Sequence, residues 1–193
     1  MRGYFGIGVE GISKAMNVGS IFRTAHAFDA GFVFTVGATY SVSEGGRADT
    51  SNTLNHTPFY EFPNLGSLVL PEKCSLVGVE LIENSIDLPS FKHPARAAYV
   101  LGPERNSLSP EMVDRCEFVV KIPMQFCVNV SVAAAIIMYD RVQSIGRFQR
   151  RPERPGGPVE ALPEPIFGEP KFRAKAEDFI SSPPVDAHPM EQE

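Results

Sequence analysis

The stretch from Leu101 to Val142 constrains the fold more than any other part of this sequence. It reads LGPERNSLSPEMVDRCEFVVKIPMQFCVNVSVAAAIIMYDRV, which predicts a strand, a Gly-Pro-Glu turn, a short helix, a second strand, an Ile-Pro-Met turn and an apolar closing helix. Both turns then follow buried strands. Ligands of open α/β sheets bind at the carboxyl ends of the strands. We therefore expect the functional site at these two turns.

The first hundred residues show the same alternation of strands and helices. Phe5, Ile7 and Val9 alternate with smaller residues, as in a strand, and a helix is predicted over Val18–Phe28 with Asn17 as its N-cap. Further segments are predicted as strands at 32–36, 59–62, 75–80 and 97–101, a helix around 64–70, and long loops at 37–63 and 84–94. This order predicts an α/β fold with a mostly parallel sheet flanked by helices.

Length and composition set the limits of the architecture. The chain has 193 residues, of which 43% are hydrophobic, enough for one sizeable core. We expect a catalytic domain at residues 1–150. Residues 151–193 hold nine of the 17 prolines and nine acidic against five basic residues, which predicts a Pro-rich acidic tail that is flexible.

Charge and cysteine content exclude several classes of protein. The net charge of −5 argues against binding to nucleic acid by charge alone, although it allows a local basic patch. The three cysteines are odd in number and lack C-x-x-C spacing, so neither a disulfide framework nor a zinc knuckle is indicated, and a cytoplasmic location is predicted. No export signal and no apolar run long enough to cross a membrane is visible, so no membrane association is expected.

A glycine motif near the start raises the alternative of a nicotinamide enzyme. Residues 6–11, GIGVEG, satisfy G-x-G-x-x-G, and Asp29 lies roughly where a ribose-binding acid is expected. A dinucleotide site needs a full strand before the first glycine and a helix that opens inside the motif. Only five residues precede Gly6 and the predicted helix starts later, so close packing is the favoured reading of these glycines.

Three sequence blocks carry a family resemblance. They are NVGSIFRTA at 17–25, LGPE at 101–104, and IPM at 122–124 followed by NVSVA at 129–133. In this order they resemble the signature blocks of the SpoU, or TrmH-type, branch of the SPOUT methyltransferases. The resemblance spans residues 4–145. It implies S-adenosylmethionine-dependent methylation of a ribose 2′-hydroxyl of tRNA or rRNA, a C-terminal deep trefoil knot, a homodimer with sites near the subunit interface, and no metal.

The resemblance also assigns roles to individual residues. Arg23 matches the family arginine that helps activate the ribose hydroxyl, and Asn17, Glu104 and Asn129 match the other catalytic positions. Because a guanidinium stays protonated, we expect Arg23 to stabilise developing alkoxide charge and not to act as a base. Cofactor contacts, mainly from the backbone, map onto Gly102, Ile122, Met124 and Val128.

Each catalytic candidate also has a structural explanation. Arg23 points away from the apolar stripe of its helix, and without the family resemblance a solvated arginine is the better explanation. For Glu104 the alternative is an ordinary turn carboxylate, which the surrounding match disfavours, and Asn129 is a good N-cap for the last helix.

Two positions depart from the family pattern, and they keep a second function open. Ser107 stands where a glycine is usual, which predicts a strained turn, and Cys127 replaces a serine. The alternative is a non-catalytic SPOUT-fold RNA-binding protein that retains the cofactor pocket.

RNA contacts are predicted at Arg47, Asn52 and His56. With the first predicted strand close to Met1, recognition is assigned to the catalytic domain, which favours tRNA over rRNA.

Overall fold

The computed structural model describes residues 3–39, 56–104 and 106–146, together with 148, 151–152 and 155–157. The chain divides into two units, Met1–Phe148 and Gln149–Glu193. All helices and strands reported below lie in the first unit. The predicted flexibility of the tail concerns residues that lie almost wholly outside the described ones.

The described part of the first unit alternates strands with helices, as the sequence predicts. The strands are β1 (Tyr4–Glu10), β2 (Phe32–Val36), β3 (Phe59–Phe62), β4 (Ser75–Val79), β5 (Ile86–Asp87), β6 (Arg96–Leu101) and β7 (Phe118–Lys121). The α-helices are α1 (Ala15–Ala27), α2 (Pro110–Arg115) and α3 (Val130–Ile145), and single 3-10 turns cover Leu65–Ser67 and Leu88–Ser90.

The seven described strands form one sheet in the order β3-β2-β1-β6-β4-β7-β5. Every pairing between them is parallel, which confirms the predicted parallel α/β sheet. β7 lies between β4 and β5, so a late strand is inserted between two earlier ones. Parallel pairing brings the carboxyl ends of β1, β4, β6 and β7 to one edge of the sheet.

The glycines of β1 pack against aromatic rings of β2. A Cβ on Gly6 would lie 2.3 Å from the ring of Phe32, and one on Gly8 would lie 2.5 Å from the ring of Phe34. β1 continues to Glu10, and α1 begins only at Ala15. The helix therefore does not open inside the glycine motif, and this geometry argues against the nicotinamide alternative.

Helices cover both faces of the sheet. α1 and α3 pack together on one face, where Ile21, Phe22, Ile137 and Met138 join a core with the side chains of β1, β4 and β6. On the other face, Met112 of α2 joins a second core with side chains of β2, β4 and β6. This burial explains why the central strands are apolar on both sides.

A buried polar cluster fixes α3 to the segment before β6. We call it the Arg141 network: His93, Tyr99, Asp140 and Arg141. Only 3% of Arg141 is exposed, and its guanidinium donates to the Tyr99 hydroxyl (3.0 Å) and to three backbone carbonyls, those of Tyr4, Pro94 and Ala95 (2.7–3.1 Å). One side chain thus joins the start of β1, the loop before β6 and α3.

The hydrogen bonds of the Arg141 network fit a neutral His93. Tyr99 accepts from Arg141, and its own hydroxyl then serves as donor to His93 Nδ1 (2.6 Å), which leaves His93 Nε2–H to donate to Asp140 (2.9 Å). Burial lowers the pKa of His93; the Asp140 carboxylate raises it and Arg141 lowers it, and the net shift is downward. Burial also raises the pKa of Tyr99 to about 12, so this hydroxyl keeps its proton.

We expect the stability of the domain to decrease as the pH falls below about 6.5. The folded pKa of His93 is below its unfolded value, so its contribution is present above the unfolded pKa and is lost as the pH falls towards the folded pKa. Urea unfolding at pH 7.5 and 5.5 measures this loss. His93→Gln should flatten this pH dependence, whereas the exposed-site variant His26→Gln should retain it; equal slopes in both variants would contradict the assignment.

Two local predictions differ from the structure. The helix predicted around 64–70 is a single 3-10 turn: Asn64 and Ser67 form a capping box at its start, but Leu68 is already extended. The loop predicted at 84–94 contains β5, which pairs with β7. Within the described residues, no helix is both long enough and apolar enough to cross a membrane.

Candidate active site

A cavity of about 460 Å³ opens at the carboxyl edge of the sheet. Loops that follow β4, β6 and β7 form its walls, because these three strands are neighbours in the sheet and end at the same edge. Its lining includes Lys14, Glu80, Gly102, Glu104, Ser107, Lys121, Ile122, Met124, Cys127, Val128 and Asn129. The four predicted cofactor positions, Gly102, Ile122, Met124 and Val128, therefore surround one cavity.

Close packing of the backbone shapes the wall after β6. A Cβ on Gly102 would lie 2.8 Å from the backbone nitrogen of Leu108 and 3.0 Å from the carbonyl carbon of Ser107. The Glu80 carboxylate accepts from that same Leu108 nitrogen at 2.8 Å. The loop after β6 thus folds back so that Ser107 and Leu108 pack against Gly102, and the bond to Glu80 holds this loop at the end of β4.

Three of the four predicted catalytic residues meet beside this cavity. We call them the Asn17 network: Asn17, Glu104 and Asn129. Asn17 Nδ2 donates to Glu104 Oε1 at 2.9 Å, and Asn129 Nδ2 donates to Asn17 Oδ1 at 3.1 Å. The contacts join positions that are 87 and 112 residues apart in the sequence. Asn17 itself is buried, with 8% exposed, and links the two residues that line the cavity.

Glu104 caps α1 from the loop after β6. Lys14, the N-cap residue of α1, makes no capping bond with its side chain. The Glu104 carboxylate accepts instead from the backbone nitrogens of Lys14 (3.1 Å) and Ser13 (3.3 Å) and from the Ser13 hydroxyl (3.2 Å). A carboxylate at this position also interacts favourably with the helix dipole.

The same bonds keep Glu104 ionised. Burial raises the pKa of its carboxyl, but hydrogen bonds from the Asn17 side chain and from the backbone of Glu104 itself, Ser13 and Lys14 outweigh burial and hold the pKa below its usual value. An ionised carboxylate accepts hydrogen bonds only, so it fixes which atom of the Asn17 amide is the donor.

Asn129 is held by the start of α3. It is the N-cap of this helix, as the sequence predicts, and its Oδ1 accepts from the backbone nitrogen (2.8 Å) and hydroxyl (2.7 Å) of Ser131. With Oδ1 engaged, Nδ2 faces Asn17. Among the described residues only one of its two amide hydrogens is used, so the other remains a donor at the rim of the cavity.

Arg23 lies apart from the Asn17 network. It is exposed on α1, is not part of the cavity lining, and makes no hydrogen bond or ion pair with any of the described residues. Of the predicted RNA contacts, His56 is exposed and stacks on His26, whereas Arg47 and Asn52 lie outside the described residues.

The two departures from the family pattern line the cavity without backbone strain. Ser107 does not adopt a positive φ; among the described non-glycine residues only Asp29 and Lys73 do. The strained turn predicted at Ser107 is therefore wrong, because its backbone stays outside the left-handed region. Cys127 is exposed and its thiol is free. Within the described part of the chain, no group of three or more His, Cys, Asp or Glu side chains is arranged to hold a metal ion.

Sequence reasoning did not identify Lys14, Glu80 and Lys121 as cavity residues. A signal was present for Glu80 and Lys121, since one follows β4 and the other ends β7 at the carboxyl edge. Lys14 gave no such signal, because its place depends on the bond between its backbone and Glu104.

Comparison with known proteins decides the family. Residues 5–139 match the sequence model of the SpoU rRNA methylase family. This chain belongs to that family. The match covers the whole sheet, α1 and most of α3, and so includes every residue of the Asn17 network.

Relatives of this SpoU protein are longer than the chain. A Staphylococcus aureus protein assigned to the TrmH family of tRNA/rRNA methyltransferases is 28% identical over 138 residues, which are 68% of this chain and 56% of the relative. A Staphylococcus haemolyticus protein assigned to the same family is also 28% identical over 138 residues, and 55% of its length is covered. The chain thus spans about half the length of the curated relatives it matches.

Solved structures share the fold. The SpoU methyltransferase AviRb from Streptomyces viridochromogenes, crystallised with AdoMet, superposes with a TM-score of 0.66 at 22% identity, over 74% of this chain and 58% of that chain. A structure described as giving insight into 2-OH methylation of C/U34 on tRNA superposes with a TM-score of 0.64 at 18% identity, over 74% of this chain and 91% of that chain.

Proposed function

We propose that this chain is an S-adenosylmethionine-dependent RNA methyltransferase that methylates a ribose 2′-hydroxyl. The observation that carries the proposal is the Asn17 network beside a cavity at the carboxyl edge of the sheet. Membership of the SpoU family supports methyl transfer to RNA as the reaction. Residues 1–150 are proposed as the catalytic domain.

The cavity fits the proposed cofactor in size and character. Its volume of about 460 Å³ lies in the usual range for small-molecule sites. Gly102, Ile122, Met124 and Val128 would hold the adenosine part, and Lys14 and Lys121 supply positive charge for a carboxylate. When bound, the cofactor supplies an electrophilic methyl group, so the protein's task is to align the hydroxyl with it.

Gly102→Ala should weaken S-adenosylmethionine binding at least about tenfold, which is about 1.4 kcal/mol. The added Cβ would overlap the returning backbone at Leu108 and displace the cavity wall. Isothermal titration calorimetry measures the change. Gly31→Ala is the matched control, because its Cβ would make only ordinary contacts of 3.5 Å or more. Equal affinity in both variants would mean that the cofactor does not contact this wall.

The remaining catalytic roles are assigned to two polar side chains, those of Asn129 and Arg23. We assign the free amide hydrogen of Asn129, a residue that lines the cavity, to donate to the substrate oxygen. Arg23 is assigned to stabilise the alkoxide charge that develops as the hydroxyl loses its proton. Since Arg23 lies outside the cavity lining of its own subunit, we assign it to the site of a second subunit in a homodimer.

Exposed apolar side chains support the homodimer. Met16 (77% exposed), Phe126 (87%) and Val132 (46%) each lie within three residues of Asn17 or Asn129 in the sequence. Large apolar side chains grouped near a site are typical of interaction surfaces. Pairing through this surface would bring the α1 helices of two subunits towards each other's cavities.

The topology, substrate and location are proposed on separate grounds. The insertion of β7 between β4 and β5 supports the C-terminal deep trefoil knot of the SPOUT class. tRNA is the preferred substrate, supported by the tRNA-related neighbour of which this chain spans 91%. The free thiols of Cys74, Cys116 and Cys127 agree with the proposed reducing cytoplasm.

Methyl transfer from labelled S-adenosylmethionine to bulk tRNA and rRNA tests the proposal, with ribose methylation mapped in the product. Arg23→Ala should lower the rate at least about 100-fold. The exposed-arginine control Arg96→Ala should leave the rate unchanged. Cofactor binding without any transfer would favour the non-catalytic RNA-binding alternative, and a methyl group on a base would overturn the assigned position.

A further inference from the structure

Two exposed histidines stack on each other at the far end of α1. The rings of His26 and His56 lie with their centroids 4.8 Å apart and their planes 12° from parallel. His26 is in the last turn of α1, and His56 precedes β3. Neither ring takes part in the cavity or in the Asn17 network.

The placement of the pair is fixed by the core beneath it. Phe22 of α1 packs on Phe59 at the start of β3, with ring centroids 4.9 Å apart. Thr57, next to His56, is buried with 4% exposed. The backbone on both sides is therefore anchored, while the two imidazoles themselves remain exposed to solvent.

Arg23 is the one Lys or Arg side chain of α1. It lies three residues before His26 on the exposed face of the helix, so the two side chains are neighbours on the helix surface, and the exposed Asp29 follows three residues after His26. α1 contains no Asp or Glu, although the whole chain has a net charge of −5. Each neutral imidazole carries one N–H donor, and Arg23 carries five.

From these observations we infer that the stacked His26 and His56 bind a phosphodiester of the RNA substrate next to the nucleotide on which Arg23 acts. The inference rests on the proposed function. His26 lies three positions after Arg23 on α1, which is about 4.5 Å along the helix axis. An RNA strand whose target ribose meets Arg23 would therefore pass the stacked rings close to that ribose.

Variants that keep the stack but remove its donors separate binding from packing. In His26→Phe/His56→Phe, both rings remain aromatic and lose their N–H groups. We expect its Kd for tRNA, measured by fluorescence anisotropy, to rise about tenfold, and its KM for tRNA to rise while kcat is maintained. Lys92→Gln, which removes an exposed cation from the loop before β6, should leave both values unchanged.

Each result has a distinct meaning. Wild-type affinity in the double Phe variant would overturn the inference and show that the rings only pack. A fall in kcat with unchanged KM would also overturn it, since the pair would then act on the reaction and not on binding. If the wild-type protein binds S-adenosylmethionine but no RNA, the proposed function fails together with the inference.

Discussion

Glu104→Ala is expected to reduce methyl transfer at least about 100-fold, because small displacements of positioning groups have effects of that size. The substitution leaves the Asn17 amide and the backbone nitrogens of Ser13 and Lys14 without their acceptor. The Asn17 amide then loses the bond that orients it, and Asn129 Nδ2 loses an acceptor held in a fixed position. Single-turnover methylation of tRNA with saturating cofactor measures the loss.

Two further variants separate position from charge and from stability. Glu104→Gln keeps one acceptor oxygen and should give a smaller loss. Glu10→Ala is the matched control, because the Glu10 carboxylate also fastens a loop, through the backbone nitrogen (2.8 Å) and hydroxyl (2.6 Å) of Ser109, but does not line the cavity. If Glu10→Ala lowers the rate as much as Glu104→Ala, the effect of Glu104 is one of folding alone.

Arg141→Met should destabilise the domain by about 3–5 kcal/mol, in the range found when one partner of a buried charged cluster is removed. The variant keeps a long apolar side chain but removes the guanidinium donor from the Tyr99 hydroxyl and from the carbonyls of Tyr4, Pro94 and Ala95, of which the Ala95 carbonyl retains the bond from the Tyr4 backbone nitrogen. Each unsatisfied buried group costs about 1–3 kcal/mol. Urea unfolding monitored by circular dichroism gives the free energy of unfolding.

Arg115→Met provides the comparison for Arg141. Arg115 also donates to two backbone carbonyls, those of Leu65 and Leu68, but it is exposed. We expect its replacement to cost less than about 1.5 kcal/mol, because only two acceptors lose a donor and the exposed guanidinium exchanges its bonds with water at little net cost. Equal losses in the two variants would mean that burial does not determine the strength of the Arg141 network.

The sequence was sufficient wherever the deciding contacts are local. The strands were predicted from alternation and β-branched residues, and Asn129 was predicted as an N-cap because its partner, Ser131, is two residues away. The cofactor positions followed from a general rule, that turns after parallel strands meet at one edge.

Contacts between distant positions were beyond sequence reasoning. Asn17 was predicted to cap α1, yet the helix begins at Ala15 and Asn17 lies inside it. The reason is Glu104, which supplies the cap from about 90 residues away and frees Asn17 to bond Asn129. No local pattern contains that information.

The buried polar residues of α3 show the same limit. The helix was predicted as almost wholly apolar, and Arg141 at its end was not distinguished from an ordinary surface arginine. Its burial depends on carbonyls of three separate segments. β5 was missed for a related reason, since two residues show no period and form a strand only because β7 lies beside them.

The bond from Arg141 to the carbonyl of Tyr4 spans 137 positions of the chain, and it bears on how the protein is made. Among the elements of this domain β1 is synthesised first, yet the guanidinium that bonds its opening carbonyl belongs to α3, which is synthesised last. β7, which separates β4 from β5, is also a late element. We therefore expect the native sheet to be completed only after translation has passed Arg141, so that apolar strands made earlier wait for their final neighbours.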